Sequence, residues 1–283
     1  MSSSFRFGLI GKNISYSKSP DIFQTIFKLT GCEGSFENLN LDGPQFPQQL
    51  KQLVDDGYQG LSVTIPYKRL VIPHLNAVDT IASALEAVNS IAITPDGLHG
   101  FNTDCYGFAV PLHEYAELLK HGDALIIGCG GGAKAVVYTL YTDFEISRFR
   151  VVGRSASRLN EFKESLVGQV SRIDLQTNSI DSLQQQPDRS YAITVNCTPL
   201  GGWNRPDESP LPESFNWKQT KVYYDLNYNT NNRAIRSAQN AGVRAIDGSS
   251  MLVGQAIRSF TLWTGRKVDF DPIYLQVFGN GSG

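Results

Sequence analysis

A run of glycines in the middle of the chain, from Gly128 to Ala133, constrains the fold more than any other feature. It directly follows the apolar stretch 124–127, which is typical of a buried strand, and it precedes a segment, 134–140, whose apolar residues have helical spacing. A second apolar strand, 149–152, arrives at the distance expected of a βαβ unit. Small residues allow a tight turn and a helix close to the sheet. The run therefore predicts a parallel sheet flanked by helices.

The same turn is a candidate dinucleotide site. The helix that opens here points free N–H groups and the positive end of its dipole at a bound phosphate. Glycine at 128 and 130 and alanine at 133 let the backbone approach a pyrophosphate and let the helix lie near the sheet. Glycines can also simply end a strand. The strand before the run and the helix after it favour nucleotide binding over that simpler interpretation.

The end of the second strand favours NADP over NAD. Enzymes that bind NAD usually place an acidic residue there, which accepts a hydrogen bond from the ribose 2′-hydroxyl. This chain has Gly153 followed by Arg154, Ser155 and Arg158. Two guanidinium groups can bind a 2′-phosphate, and no carboxylate repels it. The alternative is that these are ordinary surface arginines, which are common at the start of a helix.

Composition limits the classes of partner. The 283 residues suit two domains or one large α/β unit, and the net charge of -2 gives no general attraction to nucleic acid or to an anionic membrane. No apolar stretch reaches the length of a membrane span, and 1–4 lead straight into a strand, so we expect a cytoplasmic protein. The four cysteines and four histidines lack the spacing of metal sites. We expect no metal.

Strands and helices alternate on both sides of the glycine run. The predicted strands are 5–10, 36–41, 61–65, 90–93, 124–127, 149–152, 172–175, 191–195, 222–226 and 242–246, and the predicted helices include 20–29, 46–55, 106–119, 250–264 and 272–278. We expect an α/β fold in which a doubly wound Rossmann-type domain, 105–247, is inserted into an α/β domain of 1–104 and 248–283. The C-terminal helices then return to the first domain.

Two serines stand at the start of the first predicted helix. Ser19 before Pro20 has the sequence of an ordinary N-cap, but that role leaves Ser17 unexplained. Two hydroxyls beside a helix N-terminus also make a site for a carboxylate. Both interpretations stay open from these residues alone.

A lysine follows the strand 61–65. Alternation along that strand places Ser62 and Thr64 on the face opposite the apolar residues, and Lys68 comes just beyond Pro66. Such a lysine is most often a solvated side chain, but ligands bind at the carboxyl ends of strands in α/β sheets. Asp104 is either a helix N-cap or a carboxylate that holds the ammonium and relays a proton.

Several ordered motifs resemble the shikimate dehydrogenase family over nearly the whole chain. They are Gly8–Gly11 with Ser17–Pro20, Val63–Lys68, Ala87–Asn89, Asn102–Asp104, the glycine run, Asn196–Gly201, Tyr224–Asn229 and Gly248–Gln255. The resemblance implies NADP-dependent, reversible reduction of 3-dehydroshikimate to shikimate, in the route through chorismate to the aromatic amino acids. The binding partners would be these small molecules, and the protein would be a monomer or a homodimer.

The resemblance also implies roles for individual residues. Lys68 and Asp104 would form the catalytic pair. Substrate would be bound by Ser17 and Ser19 at its carboxylate, by Thr64, Asn89, Asp104 and Gln255 at its hydroxyls, with Ser62 and Tyr228 also in the binding cleft. The cofactor would be bound by Gly128, Gly130, Gly131, Gly132, Ala133, Gly153, Arg154, Ser155, Arg158, Asn196, Thr198, Gly201 and Met251.

One departure from the family pattern leaves a second substrate class as an alternative. Ser62 stands where the family usually has asparagine, which suggests a quinate/shikimate dehydrogenase or a paralogue that acts on a related cyclic hydroxy acid. A module that senses shikimate or NADP without turnover is an alternative of a different class. Retention of both Lys68 and Asp104 argues against it, because binding alone needs no proton-transfer pair.

Overall fold

The computed structural model describes residues 4–166, 170, 172–184, 189–229 and 232–279. The chain forms two compact units, one of Met1–Gly107 with Leu252–Gly283 and one of Phe108–Met251. The predicted α/β class, with an inserted doubly wound sheet, is confirmed. In the described part of the chain, no helix is both long and apolar enough to cross a bilayer.

The first unit begins with six strands and four helices. The strands are β1 Phe5–Gly11, β2 Gly34–Asn40, β3 Gly60–Val63, β4 Ala77–Val78, β5 Ser90–Thr94 and β6 Gly97–Phe101, in the order β2-β1-β3-β5-β6-β4. The helices are α1 Ser19–Thr30, α2 Phe46–Asp55, α3 Tyr67–Leu70 and α4 Thr80–Leu85, and α5 Asp104–Ala109 leads out of the unit.

A change of direction in this sheet brings distant chain segments to one edge. β1, β2 and β3 are parallel, whereas β5 runs antiparallel to β3 and to β6. The end of β3 therefore lies beside the start of β5, where Val63 N–H donates to the Asn89 carbonyl at 2.7 Å. The end of β6 lies there too, because Ser90 pairs with Phe101. Residues that follow β3, precede β5 and follow β6 thus meet at this edge.

The second unit is a parallel sheet of six strands. They are β7 Asp123–Ile127, β8 Arg148–Gly153, β9 Asp174–Ser179, β10 Tyr191–Asn196, β11 Thr220–Asp225 and β12 Arg244–Ile246, in the order β12-β11-β10-β7-β8-β9. Its helices are α6 Ala116–Leu119, α7 Gly131–Phe144, α8 Ala156–Leu166 and α9 Arg233–Asn240. Strand order reverses between β7 and β10, and ligands bind at such a switch point in doubly wound sheets.

Two C-terminal helices, α10 Ser249–Thr264 and α11 Phe270–Phe278, complete the first unit. Their apolar side chains join those of β1 and α1 in one core that contains Phe7, Ile22, Phe23, Ile26, Val253, Ala256, Phe260 and Ile273. Gly60 of β3 makes room for Trp263, because a Cβ at that position would lie 2.2 Å from the Trp263 ring. The return of the chain therefore supplies half of a core that β1 and α1 cannot close alone.

The structure departs from the prediction at a helix and at a strand. The helix predicted over 106–119 is three pieces, α5, the 3₁₀ helix Val110–Tyr115 and α6, and Pro111 in the middle has no N–H to continue a helix. β6 was not predicted, because Gly97, His99 and Gly100 give it a weak strand pattern. It forms as the partner of β5 through a tight turn.

Candidate active site

A lysine and an aspartate form an ion pair at the shared edge of the first sheet. Lys68 Nζ lies 2.6 Å from Asp104 Oδ2, and the two side chains are 29% and 13% exposed. Lys68 lies on α3, directly after β3, and Asp104 begins α5 after β6. The pair is largely shielded from water but still open to a ligand. The sequence predicted both residues, and the structure brings them together.

Asn89 binds the other oxygen of the same carboxylate. Its Nδ2 donates to Asp104 Oδ1 at 2.7 Å and to Thr103 Oγ1 at 3.0 Å, while its Oδ1 accepts from Thr103 N–H at 2.6 Å. Asn89 is only 3% exposed. Because both ends of the amide are engaged, it cannot rotate. Asp104 therefore presents a fixed oxygen to Lys68.

Three further side chains support this arrangement. Asn102 Oδ1 accepts from Asp104 N–H at 3.1 Å, and its Nδ2 donates to the Ala87 carbonyl at 2.8 Å. Thr103 Oγ1 lies 3.2 Å from Ser259 Oγ on α10. Asn102 and Thr103 stood in a recognised motif without an assigned role. Ser259 had no sequence signal, because it reaches the site only through the fold.

The two predicted serines lie together at the start of α1. Ser17 Oγ lies 3.1 Å from Ser19 Oγ and accepts from Ser19 N–H at 3.2 Å. The interpretation of Ser19 as the N-cap is wrong, because the helix begins at Ser19 and Lys18 occupies the cap position. The hydroxyl of Ser17 reaches the helix end instead. Two adjacent hydroxyls at a helix N-terminus are suited to a carboxylate.

The remaining predicted substrate residues are placed less directly. Ser62 is buried, and its hydroxyl has no hydrogen-bond partner among the described residues. Thr64 is half-buried just after β3, and Gln255 on α10 donates from Nε2 to the Leu252 carbonyl at 2.8 Å. Tyr228 belongs to the second unit. Hydrogen bonds thus join Lys68, Asn89 and Asp104, and separately join the two serines.

The second unit carries a cleft of about 760 Å³ at the carboxyl ends of its strands. Seven of the predicted cofactor residues line it: Gly128, Gly130, Gly153, Arg154, Ser155, Arg158 and Thr198. Gly131, Gly132 and Ala133 form the first turn of α7, directly beyond the cleft lining. The predicted turn and the predicted arginines therefore belong to one site.

The glycine turn has the geometry that a pyrophosphate requires. Gly128 has φ +98°, and a Cβ there would lie 2.9 Å from Thr198 Cγ2. Gly130 precedes α7, and a Cβ at Gly130 or Gly131 would meet nothing within 4 Å. The start of α7 therefore leaves open space around Gly130 and Gly131. A dinucleotide phosphate fits this place by charge and by room.

The arginine turn follows β8, which ends at Gly153 without a carboxylate. Arg154 and Arg158 are exposed, and Ser155 Oγ accepts from Arg158 N–H at 3.4 Å at the start of α8. Guanidinium groups bind phosphate through several N–H donors at once. The residues present therefore fit a dinucleotide that carries a 2′-phosphate.

A buried aspartate that was not predicted supports the segment that carries Thr198, which lines the cleft. Asp225 accepts from Asn196 Nδ2 at 3.0 Å and from the Tyr223 hydroxyl at 2.9 Å. Burial raises the pKa of Asp225, while hydrogen bonds from Asn196, Asn227 and Tyr223 oppose that rise. Asn196 Oδ1 in turn accepts from Thr198 N–H at 2.9 Å. Asn196 therefore positions the turn that carries Thr198.

Two other predicted cofactor residues have supporting positions. Gly201 has φ +85°, and a Cβ there would meet the Asn232 side chain at 3.3 Å. Met251 is half-buried and packs against the core of the second unit. Among the described residues, no three histidine, cysteine or acidic side chains cluster in a way that could hold a metal ion.

Comparison with known proteins gives consistent family matches at both ends of the chain. The family described as the shikimate dehydrogenase substrate binding domain matches residues 9–91, and the shikimate 5'-dehydrogenase C-terminal domain matches residues 248–277. The shikimate dehydrogenase (NADP(+)) of Clostridium botulinum strain Hall is 34% identical over 257 residues, which cover 90% of this chain and 95% of the relative.

Solved structures agree with this. Shikimate 5-dehydrogenase of Thermus thermophilus, in complex with NADP(H) and shikimate, matches with a TM-score of 0.82 at 28% identity, over 96% of this chain and 98% of that chain. Quinate dehydrogenase of Corynebacterium glutamicum, in complex with NAD, matches with a TM-score of 0.88 at 25% identity, over 98% of this chain and 99% of that chain. The chain belongs to the shikimate dehydrogenase family.

Proposed function

We propose that this protein is an NADP-dependent shikimate dehydrogenase, which reversibly reduces 3-dehydroshikimate to shikimate in the biosynthesis of chorismate and the aromatic amino acids. The observation that carries the proposal is the pair of Lys68 and Asp104, joined at 2.6 Å and fixed by buried Asn89. The relative from Clostridium botulinum strain Hall, whose match covers 90% of this chain, is named for the same activity.

The chemistry divides between cofactor and protein. Reduction of a ketone to an alcohol takes up one hydride and one proton. NADPH supplies the hydride when it is bound. Its phosphates fit the glycine turn that Gly128 opens, and its 2′-phosphate fits Arg154 and Arg158. The first unit supplies the site for the substrate, and the proton.

Lys68 is the group that meets the developing charge. As the carbonyl carbon takes up hydride, its oxygen becomes an alkoxide, which a nearby ammonium stabilises and protonates. Asp104 holds the ammonium in place, and Asn89 prevents the carboxylate from turning away. In the direction of oxidation, the same pair takes up the proton of the alcohol. Ser17 and Ser19 would bind the substrate carboxylate at the N-terminus of α1.

The other predicted substrate contacts in the first unit are Thr64, Gln255 and Ser62, which would bind the hydroxylated ring. The role of Tyr228 remains a prediction of the sequence. We assign substrate binding to 1–104 and 248–283 and cofactor binding to 105–247. A cytoplasmic location, and a monomeric or homodimeric state, remain predictions of the sequence.

A quinate/shikimate dehydrogenase is the second candidate, and Ser62 is the observation that favours it. Its side chain is shorter than the asparagine usual at this position, and its hydroxyl is buried, which leaves one fewer amide to contact a ring hydroxyl. A quinate dehydrogenase is also among the structures that share this fold.

Turnover of shikimate and of quinate, each with NADP and with NAD, tests the proposal. We expect oxidation of shikimate with NADP to have the highest kcat/KM of the four pairs, measured at the absorbance of the reduced nicotinamide. A higher kcat/KM for quinate would select the second candidate. Binding of shikimate and NADP without turnover would instead identify a sensing module and contradict both.

Replacement of Lys68 tests its role as the proton donor. Lys68→Met keeps most of the length of the side chain but removes the charge, and we expect kcat for shikimate to fall about 10²–10⁴-fold, the usual contribution of a general acid. Lys51→Met, at an exposed lysine of α2, is the control and should leave kcat unchanged. Turnover of the Lys68 variant within about threefold of wild type, at equal thermal stability, would refute the role.

Replacement of Arg154 tests recognition of the 2′-phosphate. Arg154→Ala removes charge-assisted hydrogen bonds to the phosphate, so the Kd for NADPH should rise about tenfold or more. NADH lacks that phosphate, so its Kd should change less than about threefold. Arg233→Ala, which removes an exposed arginine of the same unit paired with Glu213, serves as the control. Equal weakening of both nucleotides would exclude a 2′-phosphate contact.

A further inference from the structure

The cofactor cleft contains an acidic residue that the phosphate contacts do not explain. Asp181 lines the cleft together with Arg154 and Arg158. Of the described residues in this lining, Asp181 alone carries a carboxylate. A carboxylate repels phosphate oxygens, so its place in the same cleft as two arginines that suit a phosphate calls for a different group on the ligand.

Asp181 is held in a defined position. It lies in the 3₁₀ helix Ile180–Gln184, directly after β9. Ser179 Oγ donates to Asp181 Oδ2 at 3.1 Å and accepts from Asp181 N–H at 3.3 Å. These two contacts form a local turn, which limits the directions that the carboxylate can take.

A buried arginine fixes the same segment from beneath. Arg150 on β8 is 3% exposed, and its Nη2 donates to Ser182 Oγ at 2.8 Å and to the Ser182 carbonyl at 3.3 Å. Its Nη1 donates to the Tyr191 hydroxyl at 3.1 Å. Nε of Arg150 has no hydrogen-bond partner among the described residues, whereas the Nη1 and Nη2 contacts tie Ser182 and Tyr191 to this buried side chain. Asp181 is therefore presented from a rigid support.

The surroundings suit a flat base. Half-buried Ile180 and buried Leu211 line the same cleft and offer apolar surface. In NADP the adenine is attached to the ribose that carries the 2′-phosphate. If that phosphate binds the arginine turn, the adenine must lie close to the same turn. The exocyclic amino group is the N–H donor of the adenine base, and a carboxylate is the acceptor that matches it.

We propose that Asp181 is a specificity residue for the cofactor, which accepts a hydrogen bond from the amino group of adenine. This inference rests on the proposed binding of NADPH. In this proposal the residue that follows β9 recognises the adenine base, and the arginines that follow β8 recognise the 2′-phosphate. The protein should therefore bind NADPH more tightly than an analogue whose base has a carbonyl in place of the amino group of adenine.

The test compares NADPH with its analogue in which hypoxanthine replaces adenine. Hypoxanthine has a carbonyl where adenine has the amino group, so the carboxylate meets an acceptor. The Kd of each is measured from the fluorescence of the reduced nicotinamide, without substrate. We expect wild-type protein to bind NADPH about tenfold more tightly, as for one hydrogen bond to a charged group. Asp181→Ala should weaken NADPH and bring the two Kd values within about twofold.

Asp174→Ala is the matched control, because it removes an exposed carboxylate from the start of β9 that does not line the cleft. It should keep the wild-type ratio. Equal Kd values in the wild-type protein, or a ratio unchanged by Asp181→Ala, would overturn the proposal. Equal weakening of both nucleotides by Asp181→Ala would assign Asp181 to the ribose instead, and so would also overturn it. Because turnover is not the readout, loss of shikimate oxidation with the ratio intact would reject the proposed enzyme but uphold this inference.

Discussion

The carboxylate of Asp104 is held from two sides, by the ammonium of Lys68 and by the amide of Asn89. These three residues come from three different segments of the chain. They meet because β5 runs antiparallel to β3 and β6, so that the end of one strand lies beside the start of another. The direction of β5 is thus the constraint on which the geometry of the first site depends. An all-parallel sheet would place Asn89 at the opposite edge.

The second site depends on a different property of its sheet. All six strands are parallel, so every strand ends at the same edge and each loop there can contribute to one cleft. The glycine turn follows β7, the arginine turn follows β8, and Asp181 follows β9. Phosphate, 2′-phosphate and base would then be recognised by consecutive strand ends. Asp225 and Asn196 hold the turn of Thr198 on the other side of the switch point.

Prediction from the sequence succeeded where the signal is local. The glycine run specifies a strand, a turn and a helix within a few residues, and Arg154 and Arg158 follow at a fixed distance. Most strands and both long C-terminal helices were also predicted, because apolar periodicity is a local property. The prediction of one continuous helix over 106–119 was wrong, because Pro111 interrupts it. Of the two interpretations left open for Ser19, the N-cap is wrong, because the preceding loop places Lys18 at the cap position.

Residues that act through tertiary contacts could not be predicted in the same way. Ser259 reaches Thr103 across 156 positions, and Arg150 supports Ser182 from a neighbouring strand. Asp181 lies in a polar segment with no motif, and its relation to the arginines appears only when β8 and β9 pair. Lys68 and Asp104 were assigned through family resemblance, since spacing alone left each with an ordinary alternative. The contact between them is a property of the fold.

A double-mutant cycle shows whether Lys68 and Asp104 act as one catalytic unit, as proposed. The value of kcat/KM for shikimate is measured for wild type, Lys68→Met, Asp104→Asn and the double variant. If the two groups act together, the double variant loses little more activity than the more severe single variant, so the effects are non-additive by about tenfold or more. If the two losses simply multiply, the residues act independently and the account is contradicted.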